Sequence, residues 1–205
     1  MKKFYSIWED GYWNGTMSAL LTEYGFDVVY SPNEANVLVF NGGADIATKI
    51  YNEKPIFKGI PEHYSRRDVH ELELFDKFKG QKFMLGICRG AQLLNCLQGG
   101  TLWQHVNNHQ VDHKMVDERT GDTFMVTSTH HQMMRPTDKA EIIGTAKQST
   151  IKSADQAEWV GIPDKDIEVV YYPGVLCIQG HPEYVPGTKF SDWSVNLLNE
   201  KMKAA

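Results

Sequence analysis

The sequence predicts an α/β fold, a three-layer sandwich in which helices flank a mainly parallel central sheet. Apolar runs alternate with amphipathic helical segments in the first half of the chain, and hairpin-like segments follow in the second half. The run Val37–Phe40 is apolar throughout, which is typical of a strand covered on both faces. Because the chain has 205 residues, we expect one domain spanning 1–205.

Each predicted element depends on a local pattern. Helices are predicted where apolar residues recur three or four apart, at 18–24, at 68–78, directly after Cys88 and at 189–203. Strands are predicted at short apolar or β-branched runs, at 3–7, 27–30, 37–40, 83–87, 140–146, 158–162, 167–172 and 175–183. A hairpin is predicted from 114 to 127, because residues 119–122 have turn composition.

The segment 83–92 predicts a strand, a sharp turn and a helix with a thiol at the apex. Its centre is Gly86-x-Cys88-x-Gly90. Such an elbow holds its nucleophile in a strained conformation, and small neighbours let the strand and the helix pass closely. The N-terminus of the following helix favours a thiolate over a thiol. The alternative is a buried cysteine in an ordinary glycine-flanked turn.

A second motif, His181-Pro182-Glu183, ends the strand predicted at 175–183. In an extended chain residues i and i+2 point to the same side, so His181 and Glu183 would face one site. His181 is then placed to take a proton from Cys88, and Glu183 to orient the imidazole. The two motifs together predict a catalytic triad of Cys88, His181 and Glu183.

Six segments in chain order resemble motifs of the class I glutamine amidotransferase superfamily and, within it, of the gamma-glutamyl hydrolase-like branch. They are 40–45 (FNGGAD), 66–71 (RRDVHE), 85–95 (LGICRGAQLLN), 99–104 (GGTLWQ), 126–132 (VTSTHHQ) and 179–183 (QGHPE). Gly180 departs from the pattern, since the family usually has a large residue before His-Pro-Glu. The resemblance implies the α/β sandwich of that superfamily.

Amide hydrolysis through a thiolate needs an oxyanion hole built from backbone donors. The N–H group that follows the nucleophile belongs to Arg89. The resemblance implies that Gly43 supplies the second donor, whereas the simpler interpretation of Gly42-Gly43 is a tight turn.

The resemblance also implies substrate-binding residues. Gln92 would lie near the bound glutamyl group, and Ser128, Thr129 and His130, with the adjoining His131, would help to hold its α-amino and α-carboxylate groups. The alternatives are a solvated helix residue for Gln92 and a polar strand end for the others.

The predicted reaction is hydrolysis of a gamma-glutamyl amide, either glutamine or a gamma-glutamyl conjugate, through a thioester on Cys88. In a second version the chain is a glutaminase component that passes ammonia to a separate synthetase chain. A hypothesis of another class is a non-enzymatic thiol-sensing or binding protein on a related fold.

Composition narrows the function classes. The net charge is −5, from 21 basic and 26 acidic residues, which argues against general affinity for nucleic acid or anionic membranes. Cys96 and Cys177 are predicted to be core residues, and the three cysteines have no disulfide-framework spacing. The first apolar run is too short for a signal peptide, so we expect a cytoplasmic location.

Three histidines, His105, His109 and His113, recur four residues apart. On a helix they would line one face and could bind zinc. However, residues 106–108 favour a helix poorly, and the predicted chemistry needs neither a metal nor a cofactor. We therefore expect no metal site and no cofactor.

Overall fold

The computed structural model describes residues 2–8 and 16–204. In these residues the helices are α1 (Met17–Glu23), α2 (Arg66–Phe78), α3 (Arg89–Leu97) and α4 (Lys189–Ala204). The strands are β1 (Lys2–Ile7), β2 (Phe26–Val28), β3 (Val37–Phe40), β4 (Phe83–Ile87), β5 (Thr101–Trp103), β6 (His105–Val106), β7 (His113–Asp117), β8 (Thr123–Val126), β9 (Met133–Arg135), β10 (Glu141–Ala146), β11 (Ile151–Ala154), β12 (Ala157–Val160), β13 (Asp166–Tyr172) and β14 (Val175–Ile178).

The main sheet has nine strands in the order β2-β1-β3-β4-β14-β13-β10-β7-β8. The half from β2 to β14 is parallel, and the half from β14 to β8 is antiparallel. The predicted hairpin is β7–β8. Two smaller sheets, β5-β9 and β12-β11-β6, lie outside the main one. The antiparallel strands therefore extend a parallel α/β sheet.

Helices cover both faces of this sheet, which confirms the predicted three-layer α/β sandwich. Apolar residues of α1 and α4, such as Leu21 and Leu198, belong to one buried cluster. Apolar residues of α2 and α3, such as Phe75 and Leu94, belong to the other. In the described part of the chain, none of the helices has both the length and the apolar character needed to cross a bilayer.

Two predicted boundaries move for local reasons. α2 begins at Arg66, two residues early, because Ser65 and Asp68 form a capping box at its N-terminus. The strand predicted at 175–183 was too long, since β14 ends at Ile178 and Pro182–Tyr184 form a 3₁₀ turn. Pro182 has no N–H to donate to a strand ladder and suits the first position of a turn.

Three neighbouring parallel strands end at the same edge of the sheet. Phe40 of β3 is in register with Gly86 of β4, and Ile87 of β4 with Ile178 of β14. The segments that follow carry Gly42-Gly43, Cys88 and His181. Open parallel sheets bind ligands beyond the carboxyl ends of their strands, so this edge is where a site is expected.

Candidate active site

Cys88 lies at a strained turn between β4 and α3. Its backbone has φ of 50° and ψ of −108°, a conformation that side chains other than glycine rarely adopt. A Cβ atom at Gly90 would lie 1.9 Å from the Phe40 carbonyl oxygen, and one at Gly86 would lie 2.6 Å from the Gly90 backbone. Both glycines of the predicted elbow are therefore required by close backbone packing.

Hydrogen bonds tie this elbow to its neighbours. The N–H of Cys88 donates to the Ile178 carbonyl at 2.9 Å, and the N–H of Gln92 donates to the Cys88 carbonyl at 3.0 Å. Cys88 therefore precedes the first residue of α3 directly while remaining joined to β14. Cys88, Cys96 and Cys177 are 7%, 6% and 0% exposed, and burial raises the pKa of the Cys96 and Cys177 thiols.

His181 and Glu183 meet within the turn after β14. The Nδ1 atom of His181 lies 2.8 Å from Oε1 of Glu183, and both side chains are buried. The Tyr184 ring stacks on the His181 ring, with centroids 4.2 Å apart and planes 3° apart. The N–H of His181 donates to the Thr127 carbonyl at 2.9 Å. Three contacts thus hold the imidazole: the Glu183 carboxylate at Nδ1, the Tyr184 ring on one face, and the backbone hydrogen bond to Thr127.

Gly42 shows how closely Cys88 and His181 approach. A Cβ atom at Gly42 would lie 2.8 Å from Cε1 of His181 and 3.7 Å from Cβ of Cys88. Burial lowers the pKa of His181, but the charge and hydrogen bond of Cys88 and those of Glu183 raise it to about 10 overall. The balance favours the imidazolium form of His181.

A buried ion network holds the start of α2 against α3. The Arg89 guanidinium pairs with Asp68 at 2.5 Å and also with Glu71. Arg67 pairs with Glu71 at 2.9 Å. All four side chains are at most about one-tenth exposed. The charges therefore compensate one another in an interior where an unpaired ion would be costly.

The same network reaches the Gly42-Gly43 loop. Arg67 donates to the carbonyls of Asn41 at 2.7 Å and Gly42 at 2.9 Å. Gly43 has φ of 150°, and a Cβ atom there would lie 2.4 Å from Nη1 of Arg67. The loop that carries the predicted second oxyanion donor is thus positioned by Arg67, a role that the RRDVHE motif did not reveal.

A cavity of about 330 Å³ opens beside Cys88. Its lining residues are Gly43, Asp45, Cys88, Gln92, Thr129, His130, His131, Gln132, His181 and Tyr184. Most of the predicted site residues are thus brought together here. Glu183 lies behind His181.

Ser128 does not line this cavity. It is 2% exposed, and its hydroxyl donates to the carbonyl of His109. The predicted substrate contact through the Ser128 hydroxyl therefore does not fit its position. His130 borders the cavity, but its imidazole is buried against the His109 ring, with centroids 4.8 Å apart. Gln92 donates to the carbonyl of Gln132 at 3.1 Å.

Three lining residues, Asp45, Gln132 and Tyr184, had no role in the sequence prediction. Asp45 accepts a hydrogen bond from Nε2 of His131 at 3.1 Å, and this hydrogen bond raises the pKa of His131. Both side chains are partly exposed. The third is Tyr184, whose position next to His181 was the only sequence signal for its stacking role. The Asp45–His131 pair thus places a carboxylate and an imidazole at the cavity wall.

The histidines spaced by four do not share a helix. His105 belongs to β6 and packs near Phe57 and His131 at the surface, with centroids 6.0 Å and 6.1 Å away. His109 lies between strands, and His113 begins β7. These two meet Glu168 of β13 in a buried group whose side chains are able to hold a metal ion.

The chain is similar to known proteins both in sequence and in fold. The profile of the peptidase C26 family matches residues 28–183. Protein NtpR of Enterococcus hirae is 26% identical over 183 residues, covering 78% of this chain and 72% of that protein. The glutamine amidotransferase-like protein YvdE of Lactococcus lactis is 26% identical over 178 residues, covering 76% and 69%. A solved protein of Thermoplasma acidophilum, named as a GMP synthase subunit, superposes with a TM-score of 0.66 at 16% identity, covering 100% and 95%.

Proposed function

This chain belongs to the peptidase C26 family, and from that membership we propose that it hydrolyses a gamma-glutamyl amide through a thioester on Cys88. The products are glutamate and either ammonia or an amine. Cysteine-dependent amide hydrolysis is general to glutamine amidotransferase-like proteins of this family. We further propose that the substrate is a gamma-glutamyl amide and that Cys88, His181 and Glu183 form a catalytic triad.

In the proposed mechanism Sγ of Cys88 bonds to the δ-carbonyl carbon of the substrate. The C–N bond breaks, and the His181 imidazolium gives its proton to the leaving nitrogen. Glu183 holds the imidazole and compensates its charge. Water then attacks the thioester, releases glutamate and returns a proton to the Cys88–His181 pair.

The N–H groups of Gly43 and Arg89 are proposed to receive the negative charge that develops on the carbonyl oxygen. Each such donor contributes on the order of 3 kcal/mol to the transition state. Support comes from the Arg67 contact to Gly42 and the Arg89 contacts to Asp68 and Glu71, which restrain both donor segments before substrate arrives.

The observation that carries the proposal is the meeting of Cys88 with the His181–Glu183 pair. Cys88 has a positive φ of 50° at the start of a helix, and the imidazole facing it has a carboxylate 2.8 Å from Nδ1. A structural cysteine needs neither the strained backbone nor the oriented histidine.

The substrate class is proposed from the charges in the cavity. A glutamyl head group carries an α-ammonium and an α-carboxylate. Asp45 and His131, a pair of opposite charge that is partly exposed, complement these two groups. Gln92 and Thr129 line the same cavity and are proposed to add hydrogen bonds.

A second candidate is a glutaminase that supplies ammonia to a separate synthetase chain. The solved protein named as a GMP synthase subunit favours it, because that name denotes one part of a larger enzyme and the two chains cover each other almost fully. If the chain is a glutaminase component, its synthetase partner would raise glutamine turnover. A free-standing hydrolase would instead release glutamate from its substrate without any partner.

The deciding experiment measures glutamate release from glutamine and a panel of gamma-glutamyl amines and peptides by the purified chain. Turnover is expected to fall by roughly three orders of magnitude or more in Cys88→Ala, because the nucleophile is lost. Cys96→Ala and Cys177→Ala serve as matched controls and should retain activity if they fold. Failure of an electrophilic glutamine analogue to acylate Cys88 would favour a non-enzymatic thiol protein.

A further inference from the structure

Behind the cavity wall, His109, His113 and Glu168 form a buried cluster. They are 0%, 3% and 1% exposed, and one candidate ligand atom from each lies within 4.8 Å of the others. The Glu168 carboxylate lies 3.1 Å from Nε2 of His113 and 3.3 Å from Nδ1 of His109. Ligand atoms bound tetrahedrally to one zinc ion at about 2.0–2.2 Å lie roughly 3.3 Å apart. The two separations from Glu168 match that spacing.

The other nitrogen of each ring already has an acceptor. Nδ1 of His113 lies 3.1 Å from the Val111 carbonyl, and Nε2 of His109 lies 3.1 Å from the Asp166 carboxylate. In a neutral imidazole one nitrogen carries the proton and the other a lone pair. As neutral rings, His109 and His113 would each direct a lone pair at Glu168. A cation bound between them would then be shared by both lone pairs and the carboxylate.

His130 adds a third ring to this arrangement. Its Nδ1 donates to the Gln132 carbonyl at 2.8 Å, so its Nε2 carries a lone pair. That Nε2 lies 3.9 Å from Oε2 of Glu168. Three buried atoms without a hydrogen-bond partner lie in this cluster: Nδ1 of His109, Nε2 of His130 and Oε2 of Glu168.

The surroundings resemble the outer shell of a metal centre. A ligating histidine commonly donates its second N–H to a carboxylate or a carbonyl, which fixes the ring. Asp166 has this position behind His109. It is itself held by Lys152 at 2.7 Å and by the N–H groups of Gln148 and Ser149, each at 2.7 Å.

We propose that His109, His113 and Glu168 bind a divalent metal ion of the zinc class, with His130 as the neighbouring fourth ligand. The donor set of imidazoles and one carboxylate suits zinc. Full burial makes the site structural rather than catalytic. The ion would join β7 to β13 and support the segment 128–132 that forms part of the cavity wall. The hydrolysis proposed above does not depend on it.

The alternative to a metal ion in this cluster is protonation of its histidines. Protons alone would satisfy the geometry by charging both His109 and His113, whose ring centroids are 4.6 Å apart. Two imidazolium ions that close repel each other strongly in a buried environment with little solvent screening. One divalent ion satisfies both lone pairs and the carboxylate at once.

Metal content of the tag-free full chain tests the proposal. After incubation with zinc chloride and gel filtration, the wild type should retain about one equivalent of zinc. Cobalt chloride should produce the visible absorption of a tetrahedral Co(II) site. Zinc should raise the melting temperature, and a chelator should reverse the rise. His113→Gln and Glu168→Gln should lose the metal, whereas His105→Gln, the control from the same histidine series, should retain it.

Less than a tenth of an equivalent on the wild type, with no cobalt absorption and an unchanged melt, would overturn the proposal and leave a protonated cluster. This readout holds even if the cluster variants do not fold, since it uses the wild type alone. Cys88→Ala should bind zinc like the wild type, so the metal result stands apart from the outcome of the glutamate assay.

Discussion

The Nδ1 atom of His181 lies 2.8 Å from Oε1 of Glu183, although Glu183 belongs to a 3₁₀ turn that His181 precedes and neither residue lies in a strand. The carboxylate thereby fixes which ring nitrogen remains available to Cys88. Oε2 of Glu183 is buried and has no hydrogen-bond partner, so the carboxylate acts on His181 through Oε1.

Replacing Glu183 by glutamine is expected to lower glutamate release by roughly 10²- to 10⁴-fold, because the amide keeps the shape and loses the charge. The loss should be smaller than for Cys88→Ala, since a positioning partner contributes less than the nucleophile. Slow acylation of Cys88 by a glutamine analogue should persist. Wild-type turnover in a folded Glu183→Gln protein would mean that another group orients His181.

The pH dependence of glutamate release should follow His181. Its pKa of about 10 keeps the imidazolium populated below that pH, and the imidazolium is the acid that protonates the leaving amine. We expect kcat/KM to hold through neutral pH and to fall as pH rises through about 10. In Glu183→Gln the fall should begin at lower pH, because a group that raises the pKa is lost. A wild-type decline centred near the ordinary imidazole pKa of about 6.5 would contradict this assignment.

Gly43→Ala tests the loop that carries the proposed oxyanion donor. A methyl group there would meet Arg67 at 2.4 Å and force the loop to move. We expect turnover to fall by roughly 10²-fold or more, the effect of displacing one such donor. The matched control is Gly59→Ala, which also has positive φ but has no atom within 4 Å of the new methyl group. Equal activity loss in both variants would point to backbone strain alone.

Asp45→Asn tests recognition of the substrate α-ammonium. We expect a higher KM with kcat changed little, because the interaction is the same in the ground state and the transition state. A substrate analogue without the α-amino group provides the control and should not distinguish the variant from the wild type. An equal rise in KM for the substrate and for the analogue would indicate that Asp45 acts by holding His131.

Local patterns of the sequence predicted the elbow and the triad. Gly86-x-Cys88-x-Gly90 predicts a close strand–helix crossing, and the Gly86 contact with the Gly90 backbone is of this local kind. The Gly90 contact with Phe40 comes instead from the neighbouring strand β3. His181 and Glu183 are two residues apart, so their meeting needed only a turn or a strand. The interpretation of an extended chain was wrong, yet the predicted pair was brought together by the turn that Pro182 begins.

Partners distant in the chain were decided by the tertiary structure. His113 and Glu168 are 55 residues apart, and they meet because β7 and β13 pair with the two sides of β10. The sequence could not reveal that Ser128 donates to His109 or that Arg67 holds the Gly42 carbonyl, since each contact depends on strand order and helix placement. Residue type and spacing determined which side chains have the chemistry for a site. The packing of the sheet and its helices decided which of them face one another, because long-range contacts follow from how buried surfaces fit together.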